Sequence, residues 1–579
     1  MKKTYLLGAA SFVAALFLAF TAIFYFQPIR NAHPLLIVFV TLVLFGLLVY
    51  SRSFVHTVNG WTRAKKISLA IFMPLFTVLA GLSLLGDQQY LADNHWLVKT
   101  AVYLGLFLTI ALVVLSIIKL LLSIQTPAGE QKVSPFYVLL YMLPMLGASL
   151  VMFIAFYPAA MTPDSLSQWE QSETKEFTNW HPVMFTWLIM FLRKIWDSPG
   201  IIALFQIVAL ALTMGYMGYL MKRFKVNTWI LWAVLIVAAI VPVNSIMSII
   251  IWKDVLYSTS LLFFSLLILL LVKTKGLETK KVSFVLLFLL GSFMLVFFRH
   301  NGFPVFVITM IAALIMYRRM WKQLLPMTLG IIIIHQVITG PVYTALDVVD
   351  SDPQEALSIP TQQIANIVTK NGDMTEEQRE YINRLMPLEL WPEKYNPSSV
   401  DPIKFSWGEY DRWVIYDDPA QYAKHWAQLV LQNPGLAVEA FLDETSLVWQ
   451  MRLEEDGHMN RFVTNIYYGN EFNLLNQVIY PKVTYSAQLY LKVDTEAEEF
   501  LWRPAVYLFF ITLFLYVAYL RNNWRIWLIL LPIALNTAAV MATMPAQDFR
   551  YLFNASLFFY AALLISLLNF DDKGGSLRE

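Results

Sequence analysis

Four short polar motifs interrupt a chain that is otherwise mostly apolar. The first is YPAAMTPDSLSQWEQSETKEFTNWHP (157–182), which holds Asp164 behind Pro163 and ends on Trp180, His181 and Pro182. The others are IIIWKDVLYS with Lys253 and Asp254, FFRHNG with Arg299, His300 and Asn301, and MPAQDFRY with Arg550 beside Asp548. A carboxylate such as Asp164 can take a proton from a hydroxyl or ligate a divalent cation. A guanidinium offers a fork of donors that suits phosphate oxygens, and a lysine offers a point charge. A histidine at a helix start can donate to a phosphate or a sugar hydroxyl, where the helix dipole also favours anions. Each motif has a plainer reading. Asp164 would cap a helix starting at PDSLSQW, and His181 would be a turn residue. Lys253 and Asp254 would pair with each other, Arg299 would reach headgroups, and Arg550 would pair with Asp548.

The elements that must position these residues are membrane helices. Of the 579 residues, 58% are hydrophobic and 14% charged, against about 25% charged in a soluble domain. Many apolar runs have the length needed to cross a hydrocarbon core of ~30 Å. A net charge of +2 without a basic tract gives no basis for nucleic-acid binding. The absence of cysteine excludes disulfides, thiolate metal sites and thiol nucleophiles. The apolar run at the N-terminus is too long for the core of a signal peptide and is read as a retained first helix.

We expect an all-α polytopic protein with about fourteen transmembrane helices, near 5–26, 34–50, 68–86, 98–123, 135–157, 201–220, 228–245, 256–273, 283–298, 303–317, 324–340, 503–520, 525–543 and 551–568. The loops SRSFVHTVNGWTRAKK, MKRFK, KTKGLETKK, RRMWK and RNNWR are strongly basic and fall on one side. The positive-inside bias makes that side cytoplasmic, together with both termini. The segment 181–196 is only about 22 Å long as a helix. Its parity, with Trp187, Trp196, Arg193 and Lys194, fits a helix lying in the outer interface. All four motifs then share the outer face with 341–500, and Lys253, Arg299 and Arg550 are exceptions to the charge bias that an anion would explain.

Segment 341–500 carries 26 of the 40 acidic residues and 11 basic ones. It reads as a mainly helical extracytoplasmic domain. Thr375 is suited to cap one helix, Pro419 to start another, and Asn433-Pro434-Gly435 to break it from the next. Glycine-rich phosphate loops and zinc-type histidine spacing are missing. Gly302 is expected to allow a tight turn between two helices. The domain plan is a four-helix N-terminal module (1–134), a transmembrane core (135–340) with a catalytic outer loop at 158–200, the inserted domain (341–500), and a three-helix C-terminal segment with a cytoplasmic tail (501–579).

MTPDSLSQW…NWHP, an acidic first outer loop, an HP pair and a large outer domain resemble the GT-C superfamily. These are membrane glycosyltransferases that use polyprenyl- or dolichyl-phosphate sugars, including protein O-mannosyltransferases and the aminoarabinose transferase of lipid A. WKD and RHNG look closer still to an uncharacterised bacterial branch, a family of unknown function. The likeness covers roughly 135–570 and sets helices 1–4 apart as an addition. It implies an inverting transferase of the plasma membrane, moving a hexose or pentose from a polyprenyl-phosphate donor to a hydroxyl acceptor of the cell envelope. Asp164 would be the general base and Lys253, Arg299 and Arg550 would hold the donor phosphate. Trp180, His181, Asp254, His300 and Asn301 would bind substrate or support those that do. A divalent metal, Mg or Mn, would fall to Asp164, although the loop lacks the superfamily's second acid. Other classes remain open: a lipid or polysaccharide transporter or flippase, a wall-polymer ligase or polymerase, and a sensor or assembly factor.

Overall fold

The structure is a computed structural model that describes residues 2–27, 31–85, 89–453, 459–496 and 498–570. The expected C-terminal tail at 571–579 lies outside the described residues. The described residues form helices, with isolated bridges in place of named strands. Ten helices among them are long and apolar enough to cross a membrane: Gly8–Phe26, Pro34–Asn59, Arg63–Leu84, Trp96–Ser123, Pro199–Arg223, Lys253–Lys273, Arg318–Ala345, Pro504–Arg521, Trp524–Thr543 and Phe549–Ser566. Leu143–Ala155, Val183–Arg193, Thr228–Ile240, Val282–Phe297 and Gly302–Met316 are shorter apolar helices. The chain is a multi-pass membrane protein by this pattern.

Lys253–Lys273 is the centre of the bundle: nearly all of its residues are buried, and it packs on Pro199–Arg223, Val282–Phe297, Trp527–Thr543 and Phe553–Ser566. Its sequence is apolar on every side, as a helix enclosed by others requires. The first helices are peripheral. Ala15, Leu18, Ala19, Leu44 and Leu112 form a small separate cluster. The N-terminal group is docked on the rest through Pro504–Arg521, where Phe72 stacks on Tyr516 with ring centroids 3.6 Å apart.

The basic ends of the helices meet one another. Arg521 donates to the carbonyls of Leu121 and Ile124, at 2.7 and 3.0 Å. Lys65 donates to Leu520 O at 2.6 Å, Lys273 to Asn569 O at 2.8 Å, and Arg223 pairs with Glu130 at 2.6 Å and with Glu278. Arg521, Lys65 and Lys273 satisfy carbonyls that helix C-termini leave open, whereas Arg223 is held by carboxylates. The opposite end of Lys253–Lys273 carries Lys253 and Asp254.

Residues 341–500 are not packed as one unit. Ile364, Ile367, Tyr381, Ile382, Leu385, Trp391, Tyr422 and Leu429 belong to a core of their own. Leu447, Val448, Met459, Ile466, Ala487 and Leu491 join the main membrane core instead. The local signals hold where they are strong. Thr375 and Gln378 form a capping box, and the helices Pro419–Gln432 and Pro434–Glu444 meet at Asn433.

One expectation gains its reason and another needs correction. The tight turn expected at Gly302 forms, with Gly302 N donating to Arg299 O at 2.9 Å, and it does so without a left-handed backbone. A Cβ there would run into the Leu295 carbonyl and press on the Tyr257 ring, so the glycine is needed for close approach between Val282–Phe297 and its neighbour Gly302–Met316. Arg193 does not face headgroups. It bonds Glu173 at 2.8 Å and Asp197 at 2.7 Å and lies over the Trp169 ring, tying Val183–Arg193 to Pro163–Thr174. Overpacking at such a contact typically costs ~1–3 kcal/mol. Gly302→Ala is therefore expected to lower the thermal midpoint of the purified protein measurably, while Gly330→Ala, which meets nothing within 4 Å, leaves it unchanged.

Candidate active site

The site is built on backbone that leaves the helix inside the bundle. After Leu143–Ala155, residues 157–162 lie outside any helix, and after Thr228–Ile240 a short helix Pro242–Met247 leads through a turn at 248–249 to non-helical 250–252. These two stretches pair in parallel: Ala160 N donates to Ile249 O at 3.1 Å and Ile251 N to Ala160 O at 2.9 Å. A third segment, returning from the inserted region, completes the ladder. Met161 N donates to Asn465 O at 3.2 Å and Tyr467 N to Met161 O at 2.9 Å. The Asn476 amide bonds the carbonyls of Phe156, Tyr157 and Ala159 at 2.9–3.3 Å. Gln206 donates to the carbonyls of Ser248 and Ile250, at 3.3 and 2.7 Å. The same returning segment pairs with the last motif: Asn460 N donates to Gln547 O and Phe549 N to Asn460 O, both at 2.9 Å. One strip of chain thereby holds both motifs, 161 through Ile466 and 548 through Asn460.

Asp164 sits in the first turn of Pro163–Thr174. Thr162 is the N-cap and forms a capping box with Ser165, whose hydroxyl donates to Ile251 O at 2.6 Å. Asp164 is thus not the cap, and its carboxylate is left for other work. Arg550 Nη1 donates to Asp164 Oδ2 at 2.6 Å. Arg550 also lies 3.0 Å from Asp548 through Nε, and 4.9 Å from the Trp252 ring and 5.2 Å from the Tyr551 ring. The Trp252 indole donates to Thr162 Oγ1 at 2.8 Å. Lys253 and Asp254 open the central helix, and Lys253 Nζ is 3.7 Å from Asp254. Asp254 is fully buried, and Arg299 Nη1 donates to its Oδ1 at 2.6 Å, with the Tyr551 ring 4.8 Å from the guanidinium. His181 Nε2 is 3.8 Å from Asp164 Oδ2.

The structure brings Asp164, His181, Lys253, Asp254, Arg299 and Arg550 into one cluster, joined by Asp548. It places His300, Asn301 and Trp180 beside it. His300 Nε2 is 3.1 Å from Asn179 O, Asn301 Nδ2 is buried without a partner, and Trp180 is 37% exposed and stacks on Phe405. Both arginines proposed for an anion are engaged by carboxylates. Arg299 in particular neutralises a buried charge, whose loss of partner typically costs ~3–5 kcal/mol. Thr162, Ser165, Trp252, Asp548 and Tyr551 complete the site from within the four motifs, whereas Gln206 and Asn476 lie outside them and carry no signal in the sequence.

Electrostatics follow from this packing. Burial works to raise the Asp164 pKa, but Arg550, Lys253 and His181 outweigh it and hold the carboxyl well below the usual range. Burial first, then Lys253, pushes the His181 imidazole down to about 3, against the pull of Asp164, so it is neutral near pH 7. Burial raises Asp548 to about 6, opposed by Arg550. The donor set does not suit Mg or Mn. Asp164 Oδ2 is taken by Arg550, the two other carboxylates are paired with Arg299 and Arg550, and Lys253 adds a third cation. No group of three or more metal-ligating side chains occurs among the described residues.

These shifts have a sign. An imidazole that titrates near 6.5 when unfolded and about 3 when folded binds protons preferentially in the unfolded chain. Its contribution is complete above the unfolded value and is lost as pH falls from there toward 3. Asp164 acts in the same direction, starting lower. Asp548 acts in the opposite direction, gaining stability as pH falls through about 6. Lowering pH from 7.5 to 6 is therefore expected to reduce the thermal midpoint of the wild type more than that of His181→Gln, the difference isolating the histidine.

No curated protein and no solved structure matches the chain. Residues 6–573, nearly the whole length, match the model of a family of unknown function, so the chain belongs to DUF6020.

Proposed function

We propose that this chain is an integral membrane glycosyltransferase that moves a sugar from a polyprenyl-phosphate donor to a hydroxyl acceptor at the extracytoplasmic face. The observation that carries this reading is the contact of Asp164 with Arg550 at 2.6 Å, inside a cluster with Lys253, Asp254 and Arg299 at the ends of membrane helices. A carboxylate that can accept a proton lies beside cations that suit a leaving phosphate. The resemblance of the 157–182 and 299–302 motifs to the GT-C superfamily supports the same reading. The ten long apolar helices, with four of the five shorter ones, those at 143–155, 228–240, 282–297 and 302–316, fit fourteen crossings, leaving Val183–Arg193 for the interface. The basic loops then mark the cytoplasmic face.

The chemistry is a single displacement. The acceptor oxygen attacks the anomeric carbon as its proton passes to Asp164. The bond from that carbon to the phosphate oxygen breaks, its electron pair goes to the phosphate, and the configuration inverts. Arg550 and Lys253 take up the developing charge. The phosphate of the donor competes with Asp164 for Arg550. With that counter-charge shared, burial dominates at Asp164 and raises its affinity for a proton, so the base gains strength when the donor is in place. A transporter would place its ionisable residues near mid-membrane. This cluster lies at helix ends, which favours the transferase.

Asp164→Asn keeps shape and leaves Arg550 paired with Asp548. It is expected to fold, bind lipid-phosphate sugar and lose transfer by about 10²–10⁴. Retention of most of the rate would remove Asp164 from the chemistry. For the orientation, the native chain has no cysteine, so single cysteines report cleanly. Ser167→Cys and Glu380→Cys, both exposed positions, should react with an impermeant maleimide on intact cells. Lys280→Cys, also exposed, should react only after permeabilisation, and the reverse pattern inverts the topology.

A further inference from the structure

Beside the charged cluster lies a cavity of about 290 Å³, whose lining includes Asn179, Phe297, Arg299, Phe303, His335 and Thr339. It is bounded by the end of Val282–Phe297, the start of Gly302–Met316, the last turns of Trp321–Val337 and the residues just beyond them. The loop 179–182 forms the wall shared with the site. His181 faces Asp164 at 3.8 Å, while Asn179 and Pro182 face the cavity. Arg299 also belongs to both, with Nη1 on Asp254.

The lining has two characters. Val296, Phe297 and Phe303 are apolar, and the His335 ring lies flat on Phe303 at 3.9 Å. Asn179 Oδ1 and His335 Nδ1 are buried and have no hydrogen-bond partner. A buried acceptor left unpaired costs ~1–3 kcal/mol; Asn179 Oδ1 and, with the imidazole proton on Nε2, His335 Nδ1 are two such atoms on residues of this lining, and they call for a ligand that brings hydroxyl donors. A free isoprenoid brings none, and a bare phosphate would be repelled by the Asn179 oxygen. A sugar ring brings hydroxyls on its edge and C–H groups on its faces, which match the polar atoms and the rings of Phe297 and Phe303. The space holds on the order of ten water volumes, enough for one ring and too small for a chain of them.

We propose that this cavity binds the single pyranose or furanose ring of a substrate, with Asn179 and His335 accepting its hydroxyls. The inference rests on the transferase reading and adds where the sugar sits: next to the Asp164 loop, across Arg299 from the phosphate-binding cations. The ring comes from the donor or from the acceptor, and the experiment separates them.

The test uses Thr339→Cys in the full-length, otherwise cysteine-free protein in lipid nanodiscs, and reads the rate of N-ethylmaleimide labelling. Methyl hexosides and methyl pentosides at millimolar concentration should slow labelling several-fold for at least one sugar. Farnesyl phosphate, which carries no sugar, should not. Asn179→Ala in the same background should abolish the protection with an unchanged thermal midpoint. Protection by a farnesyl-phosphoryl sugar at far lower concentration than by the matched methyl glycoside marks a donor site, and equal potency marks an acceptor site. Protection by farnesyl phosphate alone overturns the proposal in favour of a lipid-phosphate pocket. No protection by any glycoside or by the farnesyl-phosphoryl sugar overturns it in favour of ordered water. Labelling reads occupancy without turnover. An unprotected cavity together with a transfer-defective Asp164→Asn sinks the cavity and keeps the transferase, whereas protection with a fully active Asp164→Asn does the opposite.

Discussion

Backbone that leaves the helix inside an apolar bundle has to find hydrogen-bond partners elsewhere, because lipid supplies none. That constraint governs this site. The stretches 157–162 and 250–252 abandon helical bonding near the ends of membrane helices, and they bond each other, the strip 465–467, Asn476 and Gln206. The functional side chains stand directly after these ladders. Asp164 follows the first and Lys253 and Asp254 the second, while Arg550 follows the third partner at 548. The pairing that relieves the backbone also sets the distance between carboxylates and cations.

Charge imposes the second condition. Three acids and three strong cations share a largely enclosed volume, and each isolated ion there would cost several kcal/mol. They are stable as a set because Arg550 is shared by Asp164 and Asp548, and Asp254 by Lys253 and Arg299. Such a set has little spare charge, so an incoming anion must be accommodated by changing partners. His181, neutral at 3.8 Å from Asp164, contributes no charge to that exchange and can respond to it by hydrogen bonding alone.

Helices were legible in the sequence wherever the signal is local. Apolar runs locate the membrane helices, and Thr375 and Asn433 announce a cap and a break because capping acts within three residues. The convergence of Asp164, His181, Lys253, Asp254, Arg299 and Arg550 was legible through charge bias, since cations away from the basic loops need a reason. The partners were not. Nothing in 459–477 has a period or a cap that foretells pairing with 161 and 548, and the choice of Asp164 over Asp548 for Arg550 depends on that strip. Arg193 misled for a related reason. An arginine near an apolar helix end suits headgroups by composition, and only packing shows Glu173 and Asp197 within reach. The division of 341–500 between its own core and the membrane core was hidden too, because Leu447 and Ile466 look no different in sequence from Leu429.

Asp164 and Arg550 are 386 positions apart in the chain, and this distance becomes a delay when the protein is made. At roughly 5–20 residues per second, the carboxylate is synthesised about 20–80 s before its guanidinium. The central helix and Arg299 are in place far sooner, so the Asp254 pair closes early and the Asp164 pair closes last. During that interval the nascent chain carries an acid at the membrane edge with only Lys253 and His181 near it. A ribosome-bound intermediate lacking the last helix therefore has the carboxylate without its strongest counter-charge, and the completed C-terminus is what turns a collection of inserted helices into a charge-balanced centre.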